Sequence, residues 1–138
     1  MVVELSSVQV EDSRTAILAL VCFNHQLNLQ LRSGHRRFKV TGFEVAAQAI
    51  AAVRAAPESF DLVVTDFNMP NASGLDVART IAQIRPALPV VIISGYITDS
   101  LRSSALQAGV RHLVHKANSV EELAEAIGKV LALENGNH

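Results

Sequence analysis

The sequence predicts an α/β domain, a three-layer α/β/α sandwich built on a five-stranded parallel sheet, and three observations carry that prediction. Strand-like and helix-like segments alternate five times along 138 residues with no internal repeat. Such alternation requires right-handed crossovers and a sheet covered on both faces. Two runs, Leu62–Thr65 and Val90–Ile93, are unbroken and apolar or β-branched, as strands buried on both faces are. Hydrophilic residues of particular kinds stop the runs: Asp66 after the first of these, Ser94 after the second, and Lys116 after a later one.

Taken in order, Val8–Val10 reads as a first strand ending in Glu11 and Asp12, with Ser13 placed to cap a helix that starts near Arg14. Ile17, Leu20, Val21, Leu27 and Leu31 fall at helical spacing, and Gly34 stops that stripe. Lys39–Phe43 reads as an edge-like second strand and Val45–Ala55 as an alanine-rich helix closed by Pro57. The Asp66 strand follows, bounded by Pro57 before it and by Pro70 and Gly74 after it. A helix then runs from Gly74 or Leu75 to Ile84 and is ended by Pro86 and Pro89. Val90–Ile93 is assigned to a strand by its β-branching. Leu101–Ala108 is a short helix stopped by Gly109, and Leu113 and Val114 lie in a strand that ends at Lys116. Ser119 and Glu122 form a capping box for a last helix bearing Leu123, Ile127, Val130 and Leu131. Residues 1–134 make the domain, and 135–138 a polar tail.

Composition narrows the function. With 49% apolar and 18% charged residues, the chain is one domain with a core of its own. A net charge of -1 argues against binding nucleic acid by phosphate neutralisation, although Arg32, His35, Arg36, Arg37 and Lys39 make a small basic cluster. Cys22 is the only cysteine, so there is no intrachain disulfide and no thiolate metal cluster. No run is long and apolar enough for a membrane helix and no leader opens the chain, so a cytoplasmic location is expected.

In a parallel sheet the carboxyl ends of the strands open a crevice where chemistry collects. Asp66 alone reads as a turn cap, Glu11 with Asp12 as a solvated turn, and Lys116 as a snorkelling lysine. Together at strand ends they say more. Three carboxylates brought together repel and need a cation, and Mg²⁺ suits them because it accepts a few protein oxygens while coordinating phosphate. A lysine and a hydroxyl, Lys116 and Ser94, would complete a clamp on a phosphoryl group moving to a carboxylate.

The chain resembles the receiver domains of bacterial two-component response regulators, through VEDS at Val10–Ser13, TDFNMPNASG at Thr65–Gly74, IISGY at Ile92–Tyr96 and HK at His115–Lys116. The resemblance implies a flavodoxin-like fold with strand order 2-1-3-4-5. It also implies that Glu11 and Asp12 hold Mg²⁺, that Asp66 accepts phosphate, and that the Asn68 backbone carbonyl completes the metal shell. Ser94 is then the switch hydroxyl and Lys116 the lysine that pairs with the phosphate, while Tyr96 shields the site if its ring folds over it. The partner implied is a sensor histidine kinase or histidine phosphotransfer protein. A homodimer through the face of the fourth helix, fifth strand and fifth helix is a further expectation, with no direct nucleic-acid or membrane partner. Such a domain catalyses only its own phosphorylation and dephosphorylation.

Three departures from the family pattern stand out. Ala117 occupies the place of a proline after Lys116, and Leu113 that of an aromatic switch residue. Asp12 to Asp66 spans 54 residues, longer than the family's usual spacing, and the surplus is assigned to the stretch between Cys22 and Lys39. The competing readings are a pseudo-receiver, which keeps the fold as a protein-interaction module without phosphorylation, and a phosphomonoester hydrolase. Asn68 disfavours the hydrolase, because it stands where that chemistry needs a second acid.

Overall fold

The computed structural model describes residues 16–21, 38–69, 72–116 and 120–136. Five strands within them, β1 (Ala16–Val21), β2 (Phe38–Phe43), β3 (Leu62–Asp66), β4 (Val90–Ser94) and β5 (His112–His115), form one sheet in the order β2-β1-β3-β4-β5. Every pairing in it is parallel. The α-helices among the described residues are α1 (Ala46–Ala55), α2 (Gly74–Ile84), α3 (Asp99–Ala108) and α4 (Val120–Gly136). Layering and strand order are those expected, and α4 takes in the first two residues of the segment read as a tail.

The first strand is not where the sequence was read to place it. β1 is Ala16–Val21, in residues assigned to a helix because Ile17, Leu20 and Val21 fit a 3.6-residue stripe. Six consecutive apolar residues satisfy a helical stripe and a doubly buried strand equally well. Position decides here, because β1 lies between β2 and β3 and is covered on both sides. Leu18 and Leu20 pack with Leu62, Val64, Val91 and Ile93 against Leu123 and Ile127 of α4. On the other face Ala19 and Val21 join Val63 and Ile92 beneath α1, α2 and α3. Val8–Val10, Glu11, Asp12, the stretch from Cys22 to Arg37, Ala117 and the Ser119 cap lie outside the described residues.

The register of β1 is fixed at its start. The Ile17 N–H donates to Asp61 Oδ2 at 2.7 Å, and the Asp61 N–H donates to the Ile17 carbonyl at 2.7 Å. Leu18 then stands beside Leu62 and Val21 beside Thr65. A slip of one residue would exchange the two buried faces. At the same end of the sheet, the Arg85 guanidinium just past α2 donates to the carbonyls of Pro57 at 3.0 Å and Phe60 at 2.8 Å. That contact fixes the entry to β3.

Candidate functional site

Asp66 closes β3 at the carboxyl end of the sheet and is 1% exposed. Its neighbour across the ladder is Ile93 of β4, and the next amide, Phe67 N–H, donates to the Ile93 carbonyl at 2.8 Å. The chain then turns back on itself, with Asn68–Met69 pairing antiparallel with Ala72–Ser73. The Gly74 amide donates to the Phe67 carbonyl at 2.8 Å. At Gly74 a side chain is excluded by proximity, since a Cβ there would meet the Asp66 carbonyl oxygen at 2.9 Å and Phe67 Cα at 3.2 Å. Helix α2 therefore begins directly against the end of β3. Ser73 caps it, accepting from the Asp76 amide while the Asp76 carboxylate accepts from Ser73 N–H.

Lys116 follows β5, and its Nζ lies 3.2 Å from Asp66 Oδ1 and 3.3 Å from Oδ2. The Lys116 amide donates to the Ser94 carbonyl at 2.8 Å, which ties the lysine to the end of β4. A carboxylate buried this deeply needs a counter-charge or strong hydrogen bonds, since desolvating an ion costs several kcal/mol. Lys116 supplies that charge while 42% of its own side chain stays in solvent, so the lysine can shift to a new anion without leaving water.

Ser94 is 3% exposed, and its hydroxyl is committed to a local turn. It donates to the Tyr96 carbonyl at 2.9 Å and accepts from Tyr96 N–H at 3.2 Å. Tyr96 is 79% exposed, so its ring does not lie packed over Asp66 as a shield. Leu113 is partly buried and packs on the core cluster beneath α1, α2 and α3, and Asn68 is exposed. The structure thus brings Asp66 and Lys116 into contact with Ser94 close by along the backbone. Glu11, Asp12 and the Lys116–Ala117 bond lie outside the described residues.

The position of β1 bears directly on a metal shell. On the β1 side the strand ends at Val21, beside Thr65 and one residue short of Asp66, and Cys22, Phe23 and Asn24 follow it in the sequence. Glu11 and Asp12 precede the strand instead of following it. Among the described residues, no group of three His, Cys, Asp or Glu side chains is arranged to hold a metal ion. The role of Asp61 was also missed. An acid opening a buried strand was the available signal, and its carboxylate serves to anchor the β1 amide at Ile17.

Residues 19–128 match the family model for the response regulator receiver domain. The chain is similar to the response regulator protein PilR of Pseudomonas aeruginosa, 36% identical over 80 residues, which are 58% of this chain but 18% of that one. It is 33% identical over 101 residues to the chemotaxis protein CheY of the same organism, covering 69% of this chain and 82% of CheY. Among solved structures, a CheY-like receiver domain protein from Methanospirillum hungatei superposes with a TM-score of 0.79 at 18% identity, covering 90% of this chain and 99% of that one.

Proposed function

The chain belongs to the family of response regulator receiver domains, and on that premise we propose that Asp66 accepts a phosphoryl group from a phosphohistidine donor. The donor is a sensor histidine kinase or a histidine phosphotransfer protein, since response regulators as a class work with histidine kinases. The observation that carries this reading is Lys116 Nζ within 3.3 Å of both oxygens of a buried strand-end carboxylate.

In this reading an Asp66 oxygen attacks phosphorus in line as the P–N bond of the donor breaks. The imidazole nitrogen retains the electron pair of that bond, and a mixed anhydride forms on Asp66. The dianionic group arrives where Lys116 already stands, so the cation passes from carboxylate to phosphoryl oxygens as charge accumulates. Ser94 is the hydroxyl that exchanges its turn for a phosphoryl oxygen, and its movement starts the signal. A cytoplasmic location accompanies this role, and no helix among the described residues is long and apolar enough to cross a membrane.

The family is generally Mg²⁺-dependent, but the residues described here do not make the expected three-carboxylate shell. Among the described residues at the strand ends, Asp66 is joined by one further acid, Glu44 after β2, on the far side of β1 and about 10 Å away at ordinary strand spacing. The alternative, an interaction module that never takes phosphate, is not favoured, because a paired lysine and aspartate at this end of the sheet suit phosphoryl chemistry.

The test is intact-mass analysis after incubation with a small phosphodonor and with a phosphorylated histidine kinase. One base-labile phosphoryl group is expected on the wild type and none on Asp66→Asn. Equal labelling of Asp66→Asn would remove the assignment.

A further inference from the structure

We infer that this domain has no acidic metal shell beside Asp66: the resident cation there is Lys116, and the unphosphorylated domain binds Mg²⁺ far more weakly than a site of three carboxylates does. The inference deepens the phosphoacceptor reading and rests on it only in taking Asp66 as the centre of the site. It is carried by the register of β1.

Val21 stands beside Thr65, one residue before Asp66, so the chain leaves β1 at the level where a carboxylate would have to appear. From Cys22 to Phe43 the sequence contains no Asp or Glu at all. The register is not free to slide, because Ile17 and Asp61 exchange two hydrogen bonds at the other end of the strand. Its alternating side chains also fill two separate cores.

Glu11 and Asp12 cannot make good the loss within ordinary chain geometry. Asp12 precedes Ala16 by four residues and Glu11 by five, whose backbones reach at most ~14 Å and ~18 Å even fully extended. From Ala16 to the level of Asp66 is six strand residues, or about 20 Å. Both edges of β1 are taken by β2 and β3, and its side chains from Leu18 to Val21 are buried on either face, so no path runs back along it. The spacing from Asp12 to Asp66 is long because the strand begins later than the acidic pair suggests.

The electrostatic consequence is direct. Three clustered carboxylates need a divalent ion to offset their repulsion. One carboxylate facing one ammonium forms a neutral pair, which gives a hard dication a single anionic oxygen donor group to bind and a positive charge to displace.

The experiment is a titration of Mg²⁺, and of Mn²⁺ followed by electron paramagnetic resonance, into the wild-type chain, Cys22→Asp, and the double variant Glu11→Gln with Asp12→Asn. The wild type and the double variant are expected to show the same absence of saturable binding at millimolar ion. Cys22→Asp puts a carboxylate one residue past Val21 and should bind Mn²⁺ about tenfold more tightly or better. Saturable Mg²⁺ binding by the wild type would overturn the inference, and its loss in the double variant would show that Glu11 and Asp12 reach the site. A folded Cys22→Asp, judged by an unchanged circular dichroism spectrum, that gains no affinity would overturn the register argument. None of these readouts needs phosphate on the protein, so failure of Asp66 to accept a phosphoryl group is a separate result.

Discussion

β1 and β3 lie side by side in the sheet, equally dry from Leu18 and Leu62 onward, and end differently. Leu18, Leu20 and Val21 in β1 are at most 1% exposed, as are Leu62, Val63 and Val64 in β3. Yet β3 stops at a carboxylate held by Lys116, while β1 stops at a valine followed in sequence by a cysteine and a phenylalanine. The two strands show that packing and chemistry make separate demands on a parallel sheet. Burial requires only continuous apolar side chains along the run. Chemistry depends on the residue at which the run ends, and on that point the two strands differ.

The comparison can be broken or sharpened by substitution. The largest effect is expected inside the strands, where they should behave alike: Leu20→Ala and Leu62→Ala should each lower unfolding free energy by about 2–5 kcal/mol in denaturant titrations. A small loss for Leu20→Ala alone would mean that β1 is not the central strand described here. At the strand ends they should diverge. Lys116→Ala is expected to slow phosphoryl labelling of Asp66 about tenfold or more, and to lower unfolding free energy by about 1–3 kcal/mol because the buried Asp66 carboxylate loses its counter-charge. Gly74→Ala should cost about 1–3 kcal/mol, since the added methyl group meets the Asp66 carbonyl oxygen of β3. The same crowding should slow labelling. The smallest effect is expected at Tyr96, whose side chain stands in solvent: Tyr96→Ala should leave the lifetime of the phosphorylated form unchanged within about twofold by intact mass. A shortened lifetime would mean that the ring closes over the site once phosphate is present.

These strands also mark where the sequence was legible. Around β3 every local signal agrees: a β-branched run, an acid at its end, a turn-forming stretch, and a glycine where α2 begins against the strand. Ser94 and Lys116 were legible in the same way, because each ends or follows a short apolar run. β1 was not, since Val8–Val10 followed by Glu11 and Asp12 imitates a strand with an acidic end, while Ala16–Val21 fits a helical stripe. What separates these readings is the sheet position of Ala16–Val21 between two other strands, a non-local fact. The exposure of Tyr96 and the turn made by the Ser94 hydroxyl were hidden for another reason. Both depend on backbone dihedral angles after β4, which side-chain identity alone leaves open.

The Ser94 turn bears on how finely the domain can be set. Its hydroxyl proton already has an acceptor in the Tyr96 carbonyl, so turning toward a phosphoryl oxygen exchanges one hydrogen bond for another. The net difference between two such bonds is on the order of 1 kcal/mol, more if the new acceptor is charged. A gap of about one to a few kcal/mol would still leave the minor arrangement populated, and a ligand or partner moves the balance only by its differential affinity for the two. On the proposed phosphoacceptor reading the domain is expected to work as a biased equilibrium, whose balance in the phosphorylated form single substitutions in the loop from Gly95 to Thr98 shift without touching Asp66.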